Sequence, residues 1–151
     1  MKNILWVSAF AFLGMAVVSA LAQTDSGAKS TVSRMDELTR RAAEGSAKAN
    51  LGSLRAGLSI FYGDKEGEYP KTLAELVPKY VDAIPTLNLP DHAKSSKVRI
   101  VKKAKGKTAD PYIKDTGGWL YFIGKETGEL EGTVVIDCKH KDAKGQPMSS
   151  F

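Results

Sequence analysis

Cysteine is nearly absent. Cys138 is the only one, which excludes an internal disulfide framework and a Cys-rich zinc module while leaving open a bridge between two chains. Histidine is almost as scarce, with His92 and His140 the whole complement. A Ser-His-Asp or Cys-His arrangement would need one of them beside a nucleophile, and neither lies in a recognisable nucleophile turn, so no enzymatic activity is expected. No internal repeat is visible. No one sign of charge dominates either: 22 basic residues against 17 acidic ones leave +5, mild for a nucleic-acid-binding domain. With 42% hydrophobic and 26% charged residues among 151, the chain has ordinary globular composition and the length of one domain.

Charge is missing altogether from residues 4–22, directly after Lys2. A charged start, an apolar run of this length and the triplet Ala20-Leu21-Ala22 predict a secretory signal peptide over 1–22, cut before Gln23. Left uncut, the same run is long enough for a membrane anchor. Both readings export the rest, to the periplasm or the extracellular space. Cleavage leaves 129 residues carrying +4.

After the cut, residues 23–32 are small and polar and read as a flexible lead-in to a domain over 33–151. From 33 to 62, Met35, Leu38, Ala42, Ala49, Leu51, Leu54, Leu58 and Phe61 recur mostly at three- and four-residue steps, predicting a long amphipathic helix capped by Ser33. Gly45, Gly52 and Gly57 each cost about 1 kcal/mol relative to Ala in a helix interior, so its second half needs a packed partner. Thr72 and Glu75 form a capping box for a short helix that Pro78 limits. Strands are expected at 98–101, 118–123 and 130–136, the last two as a hairpin through 125–128. The order predicts an α+β domain: a long N-terminal helix laid across a small antiparallel sheet with one buried face.

Two stretches carry a resemblance. The helix end from Ala49 to Tyr62 with Tyr69-Pro70 and Thr72-Leu73-Ala74-Glu75-Leu76 is one. The other is Asp115-Thr116-Gly117-Gly118-Trp119-Leu120-Tyr121, then Thr127-Gly128-Glu129-Leu130 and Asp137-Cys138 into the tail. Together, over roughly residues 40–151, they resemble the head of type IV pilins and of the type II secretion pseudopilins, the major pseudopilin among them. The Phe-Thr-Leu-Ile-Glu segment that follows the Gly cleavage site in those families has no counterpart: Gly14 precedes Met15, Ala16 and Val17, and the first Glu is Glu37. The resemblance therefore implies an exported pilin-like head without the usual filament-core helix, acting as an accessory structural or interaction subunit of a type II secretion or type IV pilus assembly. Its partners would be pilin or secretion-system subunits, met through the helix face of Leu51, Leu54 and Leu58, with no small-molecule substrate.

The sequence offers three further candidate sites. Some pseudopilins hold calcium in the C-terminal loop, so the resemblance points to Asp137 and Asp142 as Ca2+ ligands; no other cofactor is expected, and the interleaved Lys139, Lys141 and Lys144 favour a solvated turn instead. Cys138 and His140 would share a strand face, but two visible ligands fall short of the three or four a transition-metal site needs, and a half-buried thiol is the simpler reading. Between residues 94 and 107, Lys94, Lys97, Arg99, Lys102, Lys103, Lys105 and Lys107 occur without an acid. This run supplies the alternative function, a soluble envelope module that recognises an anionic polymer through a Lys-rich loop. No aromatic side chain is interleaved for base stacking, so no specific nucleic-acid partner is expected, and the plainer reading is a solvated loop guarding an edge strand.

Overall fold

The computed structural model describes the backbone of residues 21–151 and side chains from Ser30 onward. Residues 1–20 lie outside the described residues, and with them most of the expected signal peptide or anchor. Among the described residues no helix is long and apolar enough to cross a membrane.

A single α-helix, α1, covers Leu21–Asp64. It starts well before Ser33, so the expected lead-in is helical and Ser33 is an interior residue, its hydroxyl donating to the Ser30 carbonyl at 3.0 Å. Ser and Thr tolerate this position by bonding back to the preceding turn. The first unit of the chain ends at Leu38; residues 30–38 are exposed throughout, Val32 and Leu38 by 59% and 64%.

The second unit, residues 39–151, contains the core. Ala47, Leu51, Leu54, Leu58 and Phe61 recur at three- and four-residue steps along α1 and are all buried. After the Tyr69-Pro70 turn, the Thr72 N–H donates to Glu75 Oε1 at 3.0 Å, as a capping box requires. The element it caps is a single 3₁₀ turn, Leu73–Leu76, whose two leucines point into the core.

Three strands follow: β1 (Val98–Val101), β2 (Trp119–Phe122) and β3 (Val134–Ile136), in spatial order β1-β2-β3. β2 and β3 are antiparallel, with Trp119 opposite Ile136 and Tyr121 opposite Val134. β1 and β2 are parallel, with Val98 opposite Trp119 and Val101 opposite Phe122. The sheet is therefore mixed, not antiparallel. Residues 102–118 are long enough for the crossover that parallel pairing demands, whereas a hairpin would need only a few residues.

The expectation of one buried face also fails. Trp119 and Tyr121, with Val134 and Ile136, pack into the core that α1 covers. Leu120, Phe122 and Val135 face the opposite way into a second cluster with Ile113 and Leu130, flanked by Val101, Ala104, Ala109 and Tyr112. The crossover and the segment between β2 and β3 close that face, so all four β2 residues are buried. An uninterrupted apolar strand such as Trp-Leu-Tyr-Phe is what burial on both sides requires. β3 is shorter than expected because residues Lys125–Leu130 form 3₁₀ turns broken at Gly128.

Leu51, Leu54 and Leu58, expected as contacts for other subunits, are 2%, 0% and 3% exposed beneath this chain's own sheet. They are core residues and offer no surface to a partner.

Candidate metal centre

Among the described residues one group of His, Cys and acidic side chains converges: His92, Asp115, Cys138 and His140, each offering one ligand atom, all within 4.8 Å of one another. Three separate stretches of chain supply them. His92 sits on a loop closed by a two-way backbone bridge between Leu87 and Ser95. Asp115 occupies a turn just before β2, at φ +64°. Cys138 and His140 leave the end of β3 on alternate positions, as the two-residue period predicts for side chains sharing a face.

The spacing is tight. His92 Nε2 lies 3.1 Å from His140 Nδ1 and 3.4 Å from Cys138 Sγ, while Cys138 Sγ is 3.5 Å from His140 Nδ1. Asp115 Oδ1 lies 3.3 Å from His92 Nε2 and 3.6 Å from His140 Nδ1. Metal–ligand bonds of about 2.0–2.3 Å in a tetrahedron place ligand atoms about 3.3–3.7 Å apart; four of these five distances fall in that range and the His92–His140 one just below it, with all four atoms inside 4.8 Å. Cys138 is buried, His92 nearly so, and Asp115 and His140 are partly open to solvent. Burial pushes the Cys138 thiol up to about 11. Burial would also raise the Asp115 carboxyl, but the Lys139 N–H and the two imidazoles outweigh it and hold the group below its usual range.

Neighbouring residues set this geometry. Lys139 N–H donates to Asp115 Oδ1 at 2.8 Å. Gly117, at φ +71°, lies so close to His92 that a Cβ would stand 2.7 Å from its ring, so only glycine lets the loop and the imidazole coexist. Asp137, fully buried, accepts from the N–H groups of Lys114 and Asp115, from Thr116 Oγ1 at 2.7 Å and from Arg99 at 3.1 Å. Burial alone would raise this carboxyl; Arg99, Thr116 and Lys114 more than offset it and the shift is downward. Asp137 thus pins the turn that presents Asp115.

The calcium expectation for Asp137 and Asp142 does not survive this geometry, since donors of the protein already occupy both carboxylates. Asp142 accepts from Lys48 Nζ at 2.7 Å and from the Lys144 and Gln146 N–H groups, and Lys48 holds it below the usual carboxylate range. Its part is to tie the C-terminal tail to α1, beside Glu44, which accepts from the Ala143 N–H.

The basic run also looks different in three dimensions. Arg99 turns toward the second core, where it bonds Asp137 and the Tyr112 carbonyl. Lys103 pairs with Glu126 and Lys107 with Glu129, each at 2.9 Å, so acids remote in sequence offset part of the charge. Lys102 and Lys103 join Lys71 and Lys125 around an open groove of about 590 Å3 floored by Ile100 and Ile123; Lys97 and Lys105 are outside it.

His92 and Asp115 are the members of this group that sequence reasoning misses. They lie 46 and 23 residues from Cys138, with no fixed spacing to betray them; the one available signal was that the second of only two histidines stood unassigned. No protein-family model, no curated protein and no solved structure matches this chain.

Proposed function

We propose that this chain is an exported, non-enzymatic, pilin-like subunit that acts by protein contact, as an accessory of a type II secretion or type IV pilus assembly. The observation that carries the reading is the division of labour along α1. The helix has 44 residues, and among its described side chains, from Ser30 on, the first buried one is Glu44, so within them the core uses only the later turns. The exposed Val32, Met35 and Leu38 follow at three-residue steps and span about 120° of the helix surface, a stripe that another helix can cover. Leu51, Leu54 and Leu58 take no part, being buried. Pull-down with pilin and secretion-system subunits tests the reading. Val32→Asp with Leu38→Asp is expected to abolish recovery while leaving the melting temperature unchanged; recovery at the parental level refutes it.

The groove ringed by Lys71, Lys102, Lys103 and Lys125 favours a second reading, capture of an anionic envelope polymer. Under it, binding falls steeply with salt and with Lys102→Ala and Lys125→Ala, and is indifferent to the helix substitutions.

A further inference from the structure

We propose that His92 Nε2, Asp115 Oδ1, Cys138 Sγ and His140 Nδ1 form a closed tetrahedral Zn2+ site that clamps the Leu87–Ser95 loop and the Asp115 turn to the strand end after β3. The proposal is independent of the contact reading above and stands whether or not a partner subunit exists.

Ligand chemistry selects the metal. A hard cation such as calcium wants six to eight oxygens, and here a single carboxylate oxygen sits among two imidazoles and a thiol. One sulfur, two nitrogens and one oxygen suit a borderline-soft ion with no geometric preference of its own, which is zinc. Copper sites built from two His and one Cys are trigonal, with the fourth ligand distant. Here Asp115 Oδ1 is 3.3 and 3.6 Å from the imidazole nitrogens, about as far as the thiol is from them, so the carboxylate is no distant axial group.

The charges also close. Zn2+ with one thiolate, one carboxylate and two neutral imidazoles is a neutral unit, and binding transfers the Cys138 thiol proton to solvent. Four protein ligands leave no open coordination position, and the adjoining cavity, lined by Arg40, Glu44, Leu89 and Met148 among others, holds only about 10 Å3. That is about one water and no substrate, so the metal is structural. Its mechanical consequence lies downstream of His140. The His140 carbonyl accepts from the Met148 N–H, and the tail between them returns to α1 through Asp142–Lys48 and the Glu44–Ala143 bond.

The test uses the full chain, purified reduced and metal-free, then titrated with Zn2+ and separately with Co2+ as a spectroscopic probe. One Zn2+ per chain is expected after dialysis, with a rise in melting temperature that Ca2+ does not reproduce. The Co2+ form should show the intense visible bands of a tetrahedral site and a thiolate-to-metal charge-transfer band. Cys138→Ser should abolish that band, and His92→Ala should weaken binding by more than the 10–100-fold (roughly) that loss of an outer-shell partner costs. Asp115→Asn, close to isosteric, guards against loss of folding: circular dichroism should match the parent while affinity drops. A pale octahedral Co2+ spectrum, a charge-transfer band that survives Cys138→Ser, or no zinc retained by a folded parent overturns the proposal.

Discussion

At Gly132 the backbone has φ +76°, and a Cβ would stand 2.2 Å from the Tyr69 ring, so the turn before β3 and the Tyr-Pro turn after α1 interlock through a missing side chain. Gly132→Ala combines the left-handed penalty with overpacking and is expected to destabilise the fold by about 2–4 kcal/mol, measured by urea denaturation. Arg99 is a charge with a structural duty. It faces a carboxylate with no solvent exposure, and Arg99→Ala leaves Asp137 buried with one fewer partner, a loss of about 3 kcal/mol in the same assay. Neither role is legible in the sequence, where Arg99 belongs to a row of lysines and Gly132 falls inside the expected strand 130–136. Both depend on what another segment places opposite them.

The helix is a mixed case: its period finds the buried Leu51, Leu54, Leu58 and Phe61, but Met35, Leu38, Ala42 and Ala49, expected on the same stripe, are exposed, while Ala47 is buried without having been expected. Leu54, without solvent exposure, should lose about 3 kcal/mol on Leu54→Ala, while Ile60→Ala, at a position 55% exposed, should stay within about 0.5 kcal/mol. The three glycines inside the helix are not equivalent. A Cβ at Gly52 meets nothing within 4 Å, whereas at Gly57 it would stand 3.0 Å from Val81 Cγ1 and 3.4 Å from the Tyr80 carbonyl. Gly52→Ala is therefore expected to raise stability by about 0.5–1 kcal/mol, and Gly57→Ala to gain nothing or lose. Thermal melting of the two variants side by side reads the difference. The Val81 and Tyr80 contacts at Gly57 are part of the packed partner expected for the second half of the helix. The strands were legible in place, and β2 and β3 pair antiparallel as the expected hairpin does; only the direction of β1 was not legible, because it depends on which connection crosses over.

For the domain from residue 39 onward, one buried phenol links the two ends of the core to pH. Tyr121, without solvent exposure on β2, donates to the Pro70 carbonyl at 2.8 Å, and burial pushes its ionisation well above the ordinary tyrosine value of about 10. A group raised in the folded state contributes stability that is complete below its unfolded value. That contribution starts to be lost above about pH 10 and goes on falling until pH reaches the folded value. Urea midpoints followed from neutral pH into this alkaline range should fall for the parent. In Tyr121→Phe the fall should be shallower, from a starting stability about 1 kcal/mol lower through loss of the Pro70 bond.

What the sequence by itself determined is local and periodic: a long helix whose stripe is buried from Leu51 to Phe61, the capping box at Thr72, three short strands, and a Cys-x-His pair at the end of the last of them. These features rest on interactions between residues a few positions apart. Only the tertiary structure decided that β1 runs parallel to β2, that the sheet is covered on both faces, that Leu51, Leu54 and Leu58 are core, and that His92 and Asp115 complete a four-ligand group around Cys138 and His140. The physical reason is that these depend on closing long loops, 17 residues between β1 and β2 and a separation of 48 between His92 and His140. The entropy of such closures is offset by burial and hydrogen bonds distributed over the whole domain, and no short stretch of sequence carries that sum.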